Sequence, residues 1–188
     1  MSPLVKAWTH GSCSWPIPDR RGGWAFGVLE SDKYGKPVLT IGQGHVEEST
    51  RAKMELKSIE MLLKYMFKRY GSNLYLIVFS RSRRGISWAT RRWKCRTHMG
   101  ICDEIRRTIQ KIGRSNVVFR HVMGNLATTE DGRYIPLTNG DRERMGLIYE
   151  SANRARTNLL GKLVTEEGEE LVFLAATEQT QKDSEVQQ

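Results

Sequence analysis

The sequence predicts an α/β protein built on a mixed sheet. Three short strand-like runs crowd into the first 46 residues, a long amphipathic helix follows at 49–70, and strand and helix patterns then alternate to residue 160.

Residues 4–9 form the first run, and "WAFGVLE" (24–30) the second. Between them lies "SWPIPDRRGG", a Pro/Gly-rich turn region. "SDKYGK" (31–36) reads as a hairpin turn into a third strand, "PVLTIGQGHV" (37–46), so the three predict an antiparallel meander. The helix over 49–70 has Ser49 or Thr50 as N-cap, an apolar stripe of Met54, Ile59, Leu62, Leu63 and Met66, and Gly71 as its stop. "NLYLIVFS" (73–80) is nearly all apolar, as expected of a strand covered on both faces. A second amphipathic helix is predicted over 102–113, a strand over 116–124 and a third helix over 141–160. These elements make one domain over 1–161. "KLVTEEGEELVFLAA" (162–176) reads as a short extension folded as a strand-turn-strand hairpin. Residues 177–188 have almost no apolar content to bury and are expected to be disordered.

Composition narrows the function. With 39% hydrophobic and 27% charged residues and no apolar run long enough to span a bilayer, the chain reads as soluble, with no membrane partner. The N-terminus carries no hydrophobic signal core. Cys13, Cys95 and Cys102 form neither a CxxC pair nor a zinc-spaced cluster, so reduced thiols and an intracellular location are expected. The net charge is +9, unevenly placed: residues 162–188 carry −5 and the rest +14. A basic body of this kind expects a polyanionic partner, against the plainer reading of a solvated basic surface.

The charge concentrates in residues 80–98, "SRSRRGISWATRRWKCRTH", with seven Arg/Lys and no acid. Arg83, Arg84, Arg91, Arg92, Lys94 and Arg96 can neutralise phosphates, and Trp93 and Trp88 can pack on sugars or bases. The alternative for the tryptophans is an ordinary amphipathic helix that turns them to the core.

Five short motifs, in order, resemble type 1 ribonuclease H, which cuts the RNA strand of RNA–DNA hybrids. Thr9-His10-Gly11-Ser12-Cys13 is similar to the family's Thr-Asp-Gly-Ser-Cys, and Gly22-Gly23-Trp24-Ala25 to its Gly-Gly-Trp/Tyr-Ala. Thr50-Arg51-Ala52-Lys53-Met54-Glu55-Leu56 resembles the opening of its first helix. Ser82, Gly85-Ile86 and Trp93-Lys94 follow its fourth strand and basic helical protrusion. Tyr149-Glu150-Ser151-Ala152-Asn153-Arg154-Ala155 is similar to its last helix. The resemblance spans about residues 4–160. It implies a five-stranded mixed sheet, three antiparallel strands and then parallel ones, flanked by helices.

It also implies where the chemistry has changed. The family's four carboxylates hold two Mg²⁺ ions. Here the matching positions are His10, Glu55, Arg81 and Tyr149, and the family's auxiliary histidine matches Asn125. One carboxylate remains, and a permanently charged arginine enters the site. Arg81 would repel divalent ions, and can pair with Glu55 or donate to a phosphate; His10 can bond to Glu55 or to a phosphate. No catalytic residue and no metal or cofactor is therefore expected, Mg²⁺ or Mn²⁺ entering only if residual nuclease activity exists. A rebuilt site of His10, Glu55 and Glu150 is the alternative, suited to a softer metal. The positions that grip the hybrid match better. Gly11 permits close approach of the backbone, Ser12 and Thr50 can donate to phosphate or a 2′-OH, and Arg51 and Lys53 flank the groove; for Gly11 and Thr50 the alternative is fold maintenance.

Three functions follow. The first is a catalytically inactive binder of an RNA–DNA hybrid or double-stranded RNA. The second is an interaction module in a viral or ribonucleoprotein assembly, with protein contacts through 126–139 or the C-terminal segment. The third is a nuclease with a relocated metal site. The segment 126–139 is longer than the family's loop, and reads as pocket cover, partner contact or tolerated insertion.

Overall fold

In strand β1, Leu4–Cys13, alternate side chains face opposite layers, and that period of two organises the molecule. Val5 and Ala7 enter one apolar cluster, Trp8 the other. The structure is a computed structural model, described over residues 2–14, 21–31, 33–129, 131–157 and, for the backbone, 170–175.

β1 pairs antiparallel with β2 (Gly22–Ser31), and β2 with β3 (Pro37–Val46), giving the expected meander. Helix α1, Arg51–Tyr70, opens on Thr50, whose Oγ1 accepts from the Lys53 amide at 3.1 Å, and closes on Gly71. β4 (Tyr75–Ser80) runs parallel to β1. Then come α2 (Arg83–Ala89), α3 (Met99–Ile112), β5 (Val117–Met123, parallel to β4), the short strands β6 (Leu126–Thr128) and β7 (Tyr134–Pro136), and α4 (Asn139–Arg156). β8, Glu170–Ala175, closes the order.

Helices α1 and α3 cover one face. Met54, Leu56, Ile59, Leu62, Leu63 and Met66 meet Val5, Ala7, Val28, Leu76 and Val78 there, with Cys102, Ile105 and Ile112 of α3. Helix α4 covers the other face, where Met145, Ile148 and Ala152 meet Trp8, Ala25, Leu39 and Ile41. β4 contributes to both, with Leu76 and Val78 on one side and Phe79 on the other, as its apolar run predicts. Lys6, on the α4 face, is bonded to buried Asp141 at 3.2 Å and fixes the start of α4 against β1.

The sheet corrects one expectation. Among the described residues it has eight strands in the order β7-β6-β5-β4-β1-β2-β3-β8, where five were expected. The five expected strands stand at its centre, and each edge is extended. The segment 126–139 folds back as an antiparallel hairpin on the end of β5. β8 adds parallel to β3, from Val38 opposite Glu170 to Gln43 opposite Ala175. Each addition pairs backbone groups that an open edge would leave to solvent. β8 thus draws part of the extension into the main sheet; the other arm of the expected hairpin, the tail and most of the "SWPIPDRRGG" turn lie outside the described residues. No helix among the described residues is long and apolar enough to cross a membrane.

Candidate nucleic-acid interface

The centre of the site follows from strand register. β1 and β4 are parallel neighbours with Thr9 opposite Ser80, so the next residues, His10 and Arg81, sit side by side at the strand ends. His10 lies opposite Ala25 of β2 and is 5% exposed. Its ring is 4.7 Å from that of Tyr149 on α4, and the Arg81 guanidinium is 5.9 Å from the Tyr149 ring centre. The site therefore brings together three of the residues expected there. Burial, then Arg51, then Arg81 lower the His10 pKa from 6.5 to about 4, so the imidazole is neutral at pH 7.

Gly11 points to the opposite layer. A Cβ there would fall 2.2 Å from the Glu55 amide nitrogen and 2.4 Å from the Met54 carbonyl carbon. The close approach that Gly11 permits is thus that of helix α1 to β1. Gly23 does the same for α4, with a Cβ meeting the Ala152 carbonyl oxygen at 2.0 Å. The two glycines let both helices close on the strand ends that carry the site.

Glu55, seated by that approach, has other partners than expected. Its carboxylate accepts from Arg51 Nε at 3.1 Å and from Ser82 Oγ at 2.5 Å. Arg51, one turn earlier on α1, takes the pairing expected of Arg81, and His10 makes no hydrogen bond to Glu55. Ser82 Oγ also accepts from the Gly85 amide at 2.9 Å, so one hydroxyl caps α2 and ties it to α1.

These donors do not suit the divalent ions of the resembled family. One carboxylate, already bonded to a cation and a hydroxyl, stands with a neutral imidazole, a phenol and a guanidinium. Among the described residues no three His, Cys, Asp or Glu side chains come close enough to hold a metal. The rebuilt site of His10, Glu55 and Glu150 is not assembled. Glu150 turns along its own helix to Arg154, whose Nη2 lies 2.7 Å away. Neighbours on a helix are rotated by about 100°, which is why Glu150 cannot replace Tyr149.

What lies beside Glu55 is basic. Arg51, Arg81, Arg83 and Arg84, with Ala52, Glu55 and Ser82, line a cleft of about 270 Å³. Four guanidiniums to one carboxylate favour an anion. The two hydroxyls expected to donate there differ. Ser12 already donates to Asn153 Oδ1 at 2.5 Å on the α4 face, whereas Thr50 Oγ1 acts as an acceptor in its cap. His98, a residue not singled out in the sequence, lies 3.5 Å from Thr50 Oγ1; burial and Lys53 lower its pKa. It sits at φ 59°, a left-handed conformation that no local pattern announces.

The segment 80–98 divides in two. α2 is short and ends at Thr90, whose Oγ1 donates to the Ile86 carbonyl. Arg91, at φ 63°, then turns the chain out of the helix. Trp93 and Lys94 therefore lie in a loop, where a helical protrusion was expected. Trp88 packs half-buried against the core with Arg84 above its ring at 5.7 Å, while Trp93 is 47% exposed. The core-facing reading of the tryptophans thus describes Trp88 and not Trp93. Buried Cys95 anchors the loop to α3, its sulfur 2.9 Å from that of Cys102, whose pKa burial pushes up to about 12. Arg83, Arg84, Arg91, Arg92, Lys94 and Arg96 are all exposed, and none has an ion-pair partner among the described residues. The acids of α3 are taken within that helix, Asp103 by Arg106 and Glu104 by Arg107. Asn125 lies apart, in the exposed turn between β5 and β6, where its carbonyl accepts from the Leu137 amide.

The arrangement of strands and helices is similar to that of solved ribonuclease H structures. A crystal structure of ribonuclease H1 from the halophilic archaeon Halobacterium salinarum NRC-1 superposes with a TM-score of 0.56 at 13% identity, covering 82% of this chain and 98% of that one. The chain has the ribonuclease H fold. LC9-RNase H1, a type 1 enzyme with the type 2 active-site motif, gives 0.62 at 16% identity over 85% of this chain and 75% of its own. LC11-RNase H1, solved in complex with an RNA/DNA hybrid, gives 0.58 at 16% identity over 84% and 99%. No protein-family model matches the sequence, and no curated protein matches it. Within the ribonuclease H fold, the ends of β1 and β4 and the start of α1 are where this chain places His10, Arg81 and Glu55.

Proposed function

We propose that this protein is a ribonuclease H-like pseudoenzyme that holds an RNA-containing duplex without cutting it. The observation that carries the reading is a reversal of charge: where a hydrolytic metal pair needs clustered carboxylates, Arg51, Arg81, Arg83 and Arg84 surround a single, already paired glutamate. A phosphate takes the place of metal-bridged substrate in such a cleft. The duplex backbone continues from it onto Arg91, Arg92, Lys94 and Arg96, exposed and without acidic partners among the described residues. Binding therefore needs no divalent cation. The hybrid bound by LC11-RNase H1, on the same fold, supports an RNA–DNA hybrid as first ligand.

The test is a paired assay on one preparation. A labelled hybrid and a double-stranded RNA are bound at rising salt and incubated with Mg²⁺ or Mn²⁺. The expected result is binding without metal, a linear fall of log affinity with log salt, and intact strands. Metal-dependent cleavage at enzymic rates overturns the reading, as does affinity that ignores salt. In the charge-removed variant R91Q/R92Q/K94Q/R96Q, the salt slope falls by about one for each phosphate that is no longer neutralised.

A protein contact through 126–139 is the second reading, favoured by three large apolar side chains exposed at that edge: Met123, Tyr134 and Ile135. Retention of hybrid binding with loss of a protein partner on deleting 126–139 would assign that segment to it.

A further inference from the structure

A cavity among the described residues lies away from the His10 centre. It has a volume of about 560 Å³, between α2, the Trp93 loop, β5 and the β6–β7 hairpin. That is within the roughly 300–1,000 Å³ of small-molecule sites. Its wall has three chemical parts. Arg83 and Arg92, neither with an ion-pair partner among the described residues, supply positive charge, and no carboxylate of the described residues lines it. Trp93 and Tyr134, 47% and 40% exposed, present aromatic rings. His121 supplies a polar edge that is already ordered: its Nδ1 is 2.8 Å from the Tyr134 hydroxyl, and its backbone amide donates to Thr128 Oγ1 at 2.9 Å. Burial is the main reason its pKa lies below the ordinary value, with Arg83 adding to the effect.

The cavity depends on the extra hairpin. Tyr134, Thr128, Thr129 and Gly132 come from 126–139. β6 pairs with β5 through Val122 opposite Ala127 and Met123 opposite Leu126, which sets the hairpin across from the Trp93 loop. The loop is fixed on its side by the Trp93 amide bond to the Ser87 carbonyl at 3.1 Å and by buried Cys95. Both walls are thus built before a ligand arrives.

We infer that this cavity binds a nucleoside monophosphate unit, its base stacked on Trp93 and its phosphate held by Arg83 and Arg92. A ring wall alone would suit any flat apolar molecule, and arginines alone any anion. The two together select a flat base joined to a phosphate. The unit comes either as a free nucleotide or as the unpaired end of a strand whose duplex lies on the basic cleft. In the second form the inference rests on the duplex-binding reading. In the first it stands by itself.

The experiment follows tryptophan fluorescence and calorimetry on the whole chain with AMP, adenosine and inorganic phosphate. It then compares a blunt hybrid with one bearing a single-stranded overhang. The expected result is saturable AMP binding with quenching, at least tenfold tighter than adenosine or phosphate alone. An overhang should tighten hybrid binding about tenfold. In Trp93→Ala both gains disappear, with the fold checked by circular dichroism. Because Trp93 is exposed, that variant should fold; Arg92→Gln, also exposed, should weaken AMP binding while sparing adenosine. AMP binding with no overhang gain assigns the site to free nucleotides, and the converse assigns it to strand ends. Equal binding of AMP and phosphate, unchanged in Trp93→Ala, or no binding of either AMP or overhang, overturns the inference. A blunt hybrid that fails to bind while AMP binds overturns the duplex reading alone.

Discussion

The His10 imidazole rests 4.7 Å from the Tyr149 ring, tilted by 44°, buried and within the Coulomb reach of Arg51 and Arg81. Both features disfavour the imidazolium, and the pKa falls to about 4. Between pH 6.5 and 4 the unfolded chain therefore binds a proton that the folded chain refuses. The stability that follows from a neutral His10 is complete above about pH 6.5 and is lost as the pH falls toward 4, a contribution on the order of 3 kcal/mol. An NMR titration of the His10 ring should show its midpoint near 4, and His10→Gln should flatten stability against pH across that window. A midpoint at the ordinary value would refute the buried, cation-faced setting.

Ser82 joins two helices through one hydroxyl, donating to Glu55 and accepting from the Gly85 amide. Ser82→Ala removes the α2 cap and one of two described hydrogen bonds to a carboxylate that is mostly out of water. A lost cap costs about 1 kcal/mol and a bond to a charged group about 1.5–3. Urea unfolding should lose about 2–4 kcal/mol. Ser82→Thr, which keeps the hydroxyl, should recover most of it.

Two glycines should respond in opposite directions. Gly11→Ala drives a methyl group into the backbone of α1 at Met54 and Glu55, which can yield only if the helix leaves the sheet. A cost of more than about 3 kcal/mol is expected, with loss of the Glu55 position. Gly146, exposed within α4, has open space where a Cβ would stand. Gly146→Ala should stabilise by about 0.5–1 kcal/mol, from helix propensity alone. Thermal melts of the two variants side by side test both.

How far the sequence speaks is clear from particular residues. Thr50, Gly71 and the Met54–Met66 stripe announce α1 because caps and helical period are local signals. The apolar run before Ser80 announces β4 for the same reason. The register of Thr9 against Ser80 is non-local, yet the order of motifs placed His10, Arg81 and Tyr149 together. What stayed hidden depends on backbone turns and side-chain choice. Arg91 and His98 adopt left-handed conformations without a glycine to mark them, so the loop carrying Trp93 reads as helix. Glu55 has Arg51 and Arg81 both within its chemistry, and only geometry decides for Arg51. The hairpin at 126–139 consists of two three-residue strands, too short for any alternation to show, and so the cavity it builds was invisible as well.

The charge reversal at the site can be run backwards. In H10D/R81D/Y149D two carboxylates replace an aromatic pair and a third removes the cation, leaving Glu55 and three aspartates around the ends of β1, β4 and α1. Divalent ions prefer such hard anionic oxygens, whereas the native set offers one paired carboxylate beside a guanidinium. Calorimetry should detect Mn²⁺ uptake by the triple variant and none by the native chain. The single variant Arg81→Asp supplies an internal check that does not depend on metal. Removing one of the two cations that face His10 should raise its titration midpoint above 4, because the Coulomb penalty on the imidazolium falls while burial remains. Equal Mn²⁺ uptake by native chain and variant would show that the native residues already suffice for a metal, and the reading of a retired centre would fall.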